Sequence, residues 1–244
     1  MKKGMKRILM WGTLLMSAVV LAPAHASIVL NNTRIVYAEN DREASVKMTN
    51  NGSQPVVVQS WIDDGEIKKD PSLMKVPFML MPPMTRVDPG QGQTLRLMYT
   101  GEALPKDRES VYFLNVLEIP PKVTASEDKN FVQVALRTRI KLFYRPSGLK
   151  DSANQAPSKL VWSLVQAGFT WGLQCSNPSP YFVSMSEISL NTSGKSSRVG
   201  DGMVAPGAKM NIPLESRPNA GTKVTFIAID DYGAPRENIS SLTP

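Results

Sequence analysis

The feature that most constrains the fold is a recurrence of short segments in which apolar, often β-branched side chains alternate with polar ones. The first three are 27–37 (SIVLNNTRIVY), 44–50 (ASVKMTN) and 55–63 (PVVVQSWID), and Asn, Gly and Asp residues separate them. Alternation with period two, bounded by such residues, predicts β-strands joined by tight turns. The pattern continues at 76–81, 94–99, 110–119 and 131–144. About seven short strands over roughly a hundred residues predict an immunoglobulin-like β-sandwich.

A polar interruption after these strands predicts a second domain. The sequence Arg145-Pro146-Ser147-Gly148 leads into the polar stretch 150–158, which has no extended apolar periodicity, and we expect the domain boundary there. Alternating segments resume beyond it at 160–165, 169–174, 181–190, 209–214 and 223–229. We therefore expect an all-β chain of two immunoglobulin-like domains, 27–147 and 148–244.

The first 26 residues have the pattern of a cleaved secretory signal. Lysines and an arginine precede an apolar run at 9–21, which is too short for an ordinary membrane-spanning helix, and Ala24-His25-Ala26 follows. Cleavage would remove four of the 28 basic residues and none of the 21 acidic ones, which lowers the net charge from +7 to +3. We therefore expect an exported, soluble protein with no nucleic-acid partner and no membrane insertion.

Histidine and cysteine are almost absent, and this excludes many kinds of active site. His25 is the one histidine and lies in the expected signal, and Cys175 is the one cysteine. A chain so composed cannot form an intramolecular disulfide, a Cys/His metal cluster, or a nucleophile activated by histidine. We expect no cofactor, no metal and no enzyme activity, and we expect Cys175 to face the core of the second domain because it shares strand parity with Leu173.

Two cations lie in apolar surroundings. Arg34 shares strand parity with Ile28, Leu30 and Val36, and Lys141 interrupts the apolar run Ile140 to Tyr144. Each could simply extend its charged end into water while its stem covers apolar surface. Each could equally meet an anion, because a buried charge is costly without a partner.

A third candidate is the alternating stretch in which Val132, Val134 and Leu136 are separated by Gln133 and Ala135. It directly follows the polar loop 122–130. The pattern alone is compatible with an ordinary core strand, so the residues by themselves leave its role open.

Several motifs, in the same order along almost the whole chain, resemble the periplasmic chaperones of pilus (fimbrial) subunits. They are Thr33-Arg34-Ile35-Val36-Tyr37, Asp107-Arg108-Glu109-Ser110, NVLEIPP at 115–121, RIKLFYRP at 139–146, NPSPY at 177–181 and Asp231-Tyr232-Gly233. The combination of RES, EIPP and IKLFYRP at short distances is far more specific than any one of these motifs.

This resemblance implies two immunoglobulin-like domains arranged as a boomerang, with the pilus subunit bound in the cleft. Arg34 and Lys141 match the pair that grips the subunit's C-terminal carboxylate. Val132, Val134 and Leu136 match the donor strand, whose alternate side chains complete a subunit that lacks its own last strand.

The resemblance also implies partners and a location. Glu109, Arg145 and Asp231 match charged residues that fix the relative orientation of the two domains. The short loop at 122–130 resembles the branch that assembles rod-like pili with a tip adhesin. The expected partners are pilus subunits, including a tip adhesin, and an outer-membrane usher, and the expected compartment is the periplasm.

Two other classes of protein compete with this interpretation. An enzyme would need a Ser/Lys pair, for which Ser72 and Lys75 or Ser147 and Lys150 have the spacing, but the companion motifs are missing. The other class is a structural protein, either a pilus subunit or another secreted β-sandwich. A pilus subunit would be one incomplete sandwich, whereas two domains are predicted here.

Overall fold

A computed structural model describes residues 27–120, 134–168, 170–192 and 194–243. The expected signal at 1–26, the loop at 122–130 and the candidate donor residue Val132 therefore lie outside the described residues.

Strands form nearly all of the regular structure in the described ranges. In the first part of the chain they are β1 (Ile28–Leu30), β2 (Arg34–Ala38), β3 (Ala44–Asn50), β4 (Val56–Asp63), β5 (Phe78–Met81), β6 (Met84–Val87), β7 (Gly92–Tyr99), β8 (Ser110–Ile119) and β9 (Leu136–Arg145). In the second part they are β10 (Val161–Ala167), β11 (Thr170–Ser176), β12 (Val183–Thr192), β13 (Lys195–Val204), β14 (Lys209–Leu214), β15 (Lys223–Ile229) and β16 (Pro235–Thr243). Two short 3-10 helices lie at Pro71–Leu73 and Ala153–Lys159. The predicted all-β fold of two domains is confirmed.

The first domain consists of two sheets that enclose one hydrophobic core. Their strand orders are β1-β3-β7-β5 and β2-β9-β8-β4-β6. Alternate residues of β4, β8 and the second half of β9 face the core, as Val58, Leu114 and Leu142 do, and all three are fully buried. The other face of the five-stranded sheet points outward, because successive side chains of a strand alternate between the two faces.

The expected single strand at 27–37 is two strands in different sheets. The chain leaves the sheet of β1 after Leu30 and enters the sheet of β2 at Arg34. Parity does not carry across this break: Ile28 faces the core, but so do Ile35 and Tyr37. The prediction that Arg34 shares a face with Ile28 and Leu30 is therefore wrong, and Arg34 lies on the outward face with Val36.

Strand β9 has two partners, but one of them covers only half of its length. Strand β8 pairs with it antiparallel from Leu136 to Tyr144. Strand β2 pairs with it in parallel on the other side, from Lys141 to Arg145. Within the described ranges, residues 136–140 therefore have a backbone edge with no strand beside it, in line with the start of β2.

The second domain has one seven-stranded sheet, in the order β13-β12-β15-β16-β10-β11-β14, which surrounds a separate core. Cys175 is fully buried in that core, as predicted, and burial raises the pKa of its thiol to about 12. No helix in the described ranges is long and apolar enough to cross a membrane.

Candidate functional site

Arg34 and Lys141 lie directly opposite each other on β2 and β9, at the junction between the two domains. Nη1 of Arg34 donates a hydrogen bond of 2.8 Å to the carbonyl oxygen of Ile229. Nζ of Lys141 donates one of 2.8 Å to the hydroxyl of Ser184. Both acceptors belong to the second domain and both are neutral, so the two domains together hold a pair of adjacent cations.

Neither cation has a carboxylate within 4.0 Å among the described residues. Burial lowers the pKa of both groups. For Arg34, the charges of Asp231, Asp230 and Glu109 partly offset burial, whereas the positive charge of Arg34 lowers the pKa of Lys141 further. The Nε of Arg34 is buried and has no hydrogen-bond partner in the described part of the chain. Two desolvated cations with unused donors form a site that favours an anion.

The candidate donor residues inside the described ranges are exposed. Val134 is 64 % exposed and Leu136 is 45 % exposed, whereas Ile140 and Leu142, which have the same parity, are buried in the core. The strand therefore passes out of the sandwich: its later residues fill the core, and its first residues present apolar side chains to solvent. The free backbone edge of 136–140 accompanies these side chains, so an extended segment could pair with the edge while covering them.

Glu109, Arg145 and Asp231 form one ion-paired network. Nε of Arg145 lies 2.7 Å from Oε1 of Glu109, and its Nη1 and Nη2 donate to Asp231 at 2.7 and 2.8 Å. Glu109 also accepts a 2.8 Å bond from the backbone N–H of Phe182. Burial raises the pKa of Glu109. Burial alone would lower the pKa of Arg145, but its hydrogen bonds and ion pairs with Asp231 and Glu109 outweigh that effect and raise this pKa.

Sequence reasoning missed a cluster on the same outward face. Asp63, at the end of β4, is fully buried and lies 2.5 Å from Nη2 of Arg139. Arg137, Arg139, Lys141 and Arg145 occupy alternate positions of one strand, and this repeated positive charge was the signal available in the sequence. In the described ranges, Arg137, Arg139 and Arg145 have carboxylates within 4.0 Å, and Lys141 does not.

No three His, Cys, Asp or Glu side chains in the described ranges are grouped so that they could hold a metal ion.

Family models match both domains. Residues 27–150 match the model described as the pili and flagellar-assembly chaperone, PapD N-terminal domain, and residues 155–240 match the PapD C-terminal domain of pili assembly chaperones. These matches cover almost all of the chain after the expected signal.

Individual relatives and solved structures agree with the family models. The chain is 42 % identical over 224 residues to the probable fimbrial chaperone YadV of Escherichia coli K12, covering 89 % of this chain and 90 % of that one. It is 41 % identical over 218 residues to the chaperone protein FimB/FhaD of Bordetella pertussis, with 87 % of each chain covered. The crystal structure of the YadV chaperone is similar with a TM-score of 0.75 at 39 % identity, covering 88 % of this chain and 99 % of that one. A Salmonella enterica complex of the SafA pilin with the SafB chaperone matches with a TM-score of 0.71 at 25 % identity, covering 90 % and 98 %.

Proposed function

Because the chain belongs to the family of pilus-assembly chaperones, we propose that it captures pilus subunits in the bacterial periplasm and delivers them to an outer-membrane usher. The secretory signal pattern at 1–26 supports export to that compartment. The solved complex of the SafB chaperone with the SafA pilin supports subunits as direct partners, and we include a tip adhesin among the proposed subunits. The action is binding and release, without catalysis.

The observation that carries this proposal is the position of the two unpaired cations at the end of an unpaired strand edge. Arg34 and Lys141 would bind the C-terminal carboxylate of the subunit. Charge-assisted hydrogen bonds in such a desolvated place are short and strong, and loss of one partner costs on the order of 2–5 kcal/mol. The carboxylate would also provide an acceptor for the buried Nε of Arg34.

The direction of the bound strand follows from the sheet. The free edge at 136–140 lies in line with β2, which runs parallel to β9 and begins at Arg34. A subunit strand on this edge, ending at Arg34 and Lys141, would occupy the place that β2 would fill if it began earlier. With its C-terminus at Lys141 and its preceding residues along 140–136, it would run parallel to β9.

The side chains of Val132, Val134 and Leu136 would then enter the groove of the incomplete subunit. Backbone hydrogen bonds give such added strands their affinity, and alternate side chains give the fit. The exposure of Val134 and Leu136 supports this role, because both are available to a partner before binding.

The network of Glu109, Arg145 and Asp231 would hold the domains in a fixed orientation. Arg145 ends the last strand of the first domain, and Asp231 follows the strand β15 of the second. This bridge keeps Ser184 and Ile229 beside Lys141 and Arg34, so the anchor would be preformed.

The proposal is tested by replacing the anchor cations singly. Arg34→Ala and Lys141→Ala should each abolish subunit capture from a periplasmic extract, while circular dichroism shows a folded protein. Lys47→Ala, which removes an exposed lysine on β3 of the same domain, is the matched control and should capture normally. Normal capture by both anchor variants would contradict the proposed function.

A further inference from the structure

A buried carboxylate joins three strands on the outward face of the first domain. Asp63, on β4, has no exposed surface. Its carboxylate accepts hydrogen bonds of 2.5 and 3.1 Å from Nη2 and Nε of Arg139, on β9, and one of 2.6 Å from Nδ2 of Asn115, on β8. A carboxylate buried in this way is stable only because its partners neutralise it.

The same cluster extends one step towards the start of β9. Oδ1 of Asn115 accepts bonds of 2.9 and 2.6 Å from Nε and Nη2 of Arg137. Each guanidinium also lies over an aromatic ring, Arg137 at 4.8 Å from the ring centre of Trp61 and Arg139 at 3.6 Å from that of Phe113. The outward face of β9 is thus fixed to β8 and β4 by both arginines.

These arginines lie in the half of β9 that has the least support from elsewhere. On its other face, Leu136 is 45 % exposed, and on the side of β2 the backbone edge of 136–140 is unpaired within the described ranges. A strand end with neither core packing nor a second neighbour is expected to open locally. The ionic and aromatic contacts of Arg137 and Arg139 replace the missing support.

We propose that Asp63, Asn115, Arg137 and Arg139 are positioning residues that hold the first half of β9 extended before the subunit arrives. The cluster contacts only the outward face, so it leaves free both the backbone edge and the face of Val134 and Leu136. Ordering a strand during binding costs conformational entropy, and a preformed strand avoids that cost. This inference rests on the proposed function, because it assigns a role within subunit capture.

Asp63 is the residue on which the cluster depends. Its negative charge compensates two guanidiniums on alternate positions of one strand, with Arg139 at 2.5 Å and Arg137 at 3.6 Å. Loss of this charge would leave both guanidiniums without a carboxylate within 4.0 Å in the described ranges.

The test is Asp63→Asn, which keeps the shape of the side chain and removes its charge. In the free protein, the amides of 136–140 that pair with β8 should exchange with solvent about tenfold faster or more, while the core strand β7 is unaffected. Subunit association should slow by a similar factor. Glu43→Gln, which breaks the 2.6 Å ion pair with Arg96 in the other sheet, is the matched control and should change neither quantity.

A second variant covers the case in which Asp63→Asn unfolds. Arg137→Met keeps an unbranched apolar side chain on the strand and removes the guanidinium, and it should change exchange and association in the same direction. Unchanged exchange at 136–140, or faster exchange with unchanged association, would overturn the inference. Failure of the unmodified protein to capture a subunit would overturn the proposed function instead, and the exchange of the free variants would still report whether the cluster orders β9.

Discussion

At the scale of single residues, the cations on this face differ in whether a carboxylate neutralises them. Arg139 and Arg145 meet carboxylates at 2.5 and 2.7 Å, whereas Arg34 and Lys141 meet a carbonyl oxygen and a hydroxyl. These neutral acceptors satisfy the geometry of a hydrogen bond, and the acids near Arg34, which are Asp231, Asp230 and Glu109, favour its charge without forming an ion pair with it. The pair therefore keeps its electrostatic preference for an anion while it is held in place.

This arrangement predicts that subunit affinity depends on pH in the alkaline range. In the free protein, burial and the charge of Arg34 lower the pKa of Lys141 below its ordinary value of 10.5. A bound carboxylate favours the charged lysine, so binding raises that pKa. Affinity should therefore be fully present below the lowered pKa and should fall as the pH rises through it.

Calorimetric titration over a series of alkaline buffers checks this dependence. Lys141→Arg is the control, because a guanidinium stays charged throughout this range. If it binds, its affinity should remain flat where that of the unmodified protein declines. An equal decline in both proteins would show that Lys141 is not the titrating group.

At the scale of elements, the sequence predicts core strands well and sheet membership poorly. The segments 44–50 and 55–63 correspond to β3 and β4. One face of each strand lies against the core, and this produces the alternation of apolar and polar residues in the sequence. The break between β1 and β2 was missed, since period two does not show where a chain changes sheets. Strands β13 and β16 were missed because polar residues dominate both faces, as in KSSRVGDGMV and PRENISSLT.

The candidate site shows the same division between local pattern and tertiary structure. Arg34 and Lys141 were identified by the motifs around them, because an isolated cation in an apolar run is also compatible with a side chain that reaches water. Asp63 ends an apolar strand before Asp64 and Gly65, and in sequence it resembles a turn residue. Only the packing of β9 beside β8 and β4 brings it to Arg139.

For the donor strand, the substitution Val134→Glu separates two possible roles. If Val134 enters a subunit groove, the glutamate would be buried there without a partner, so capture should fail while the free protein stays as stable as before. If the segment were a core strand, the same charge would unfold the first domain. Thermal unfolding of the free variant and subunit pull-down are the two measurements.

Val161→Glu is the matched control for this experiment, because Val161 is 50 % exposed on β10 of the second domain. It should leave both the unfolding midpoint and capture unchanged. A collapsed midpoint in Val134→Glu, with the control unaffected, would reject the donor-strand role.

At the scale of the whole molecule, the proposed anchor depends on contacts between the two domains. Arg34 and Lys141 belong to the first domain, and the atoms that orient them, on Ile229 and Ser184, belong to the second. The bridge through Arg145 ties the same two domains together a few residues away. We therefore expect a carboxylate bound by Arg34 and Lys141 to depend on both domains, and the unpaired edge of β9 ends at these two residues.

The most direct test of this account compares two forms of one peptide from the C-terminal end of a pilus subunit, one with a free carboxylate and one amidated. The free acid should bind more tightly, by on the order of 2–5 kcal/mol, because only it pairs with both cations. In Lys141→Ala the difference should shrink towards zero. Equal affinity of the two forms for the unmodified chaperone would contradict the central claim that Arg34 and Lys141 capture the subunit by its terminal carboxylate.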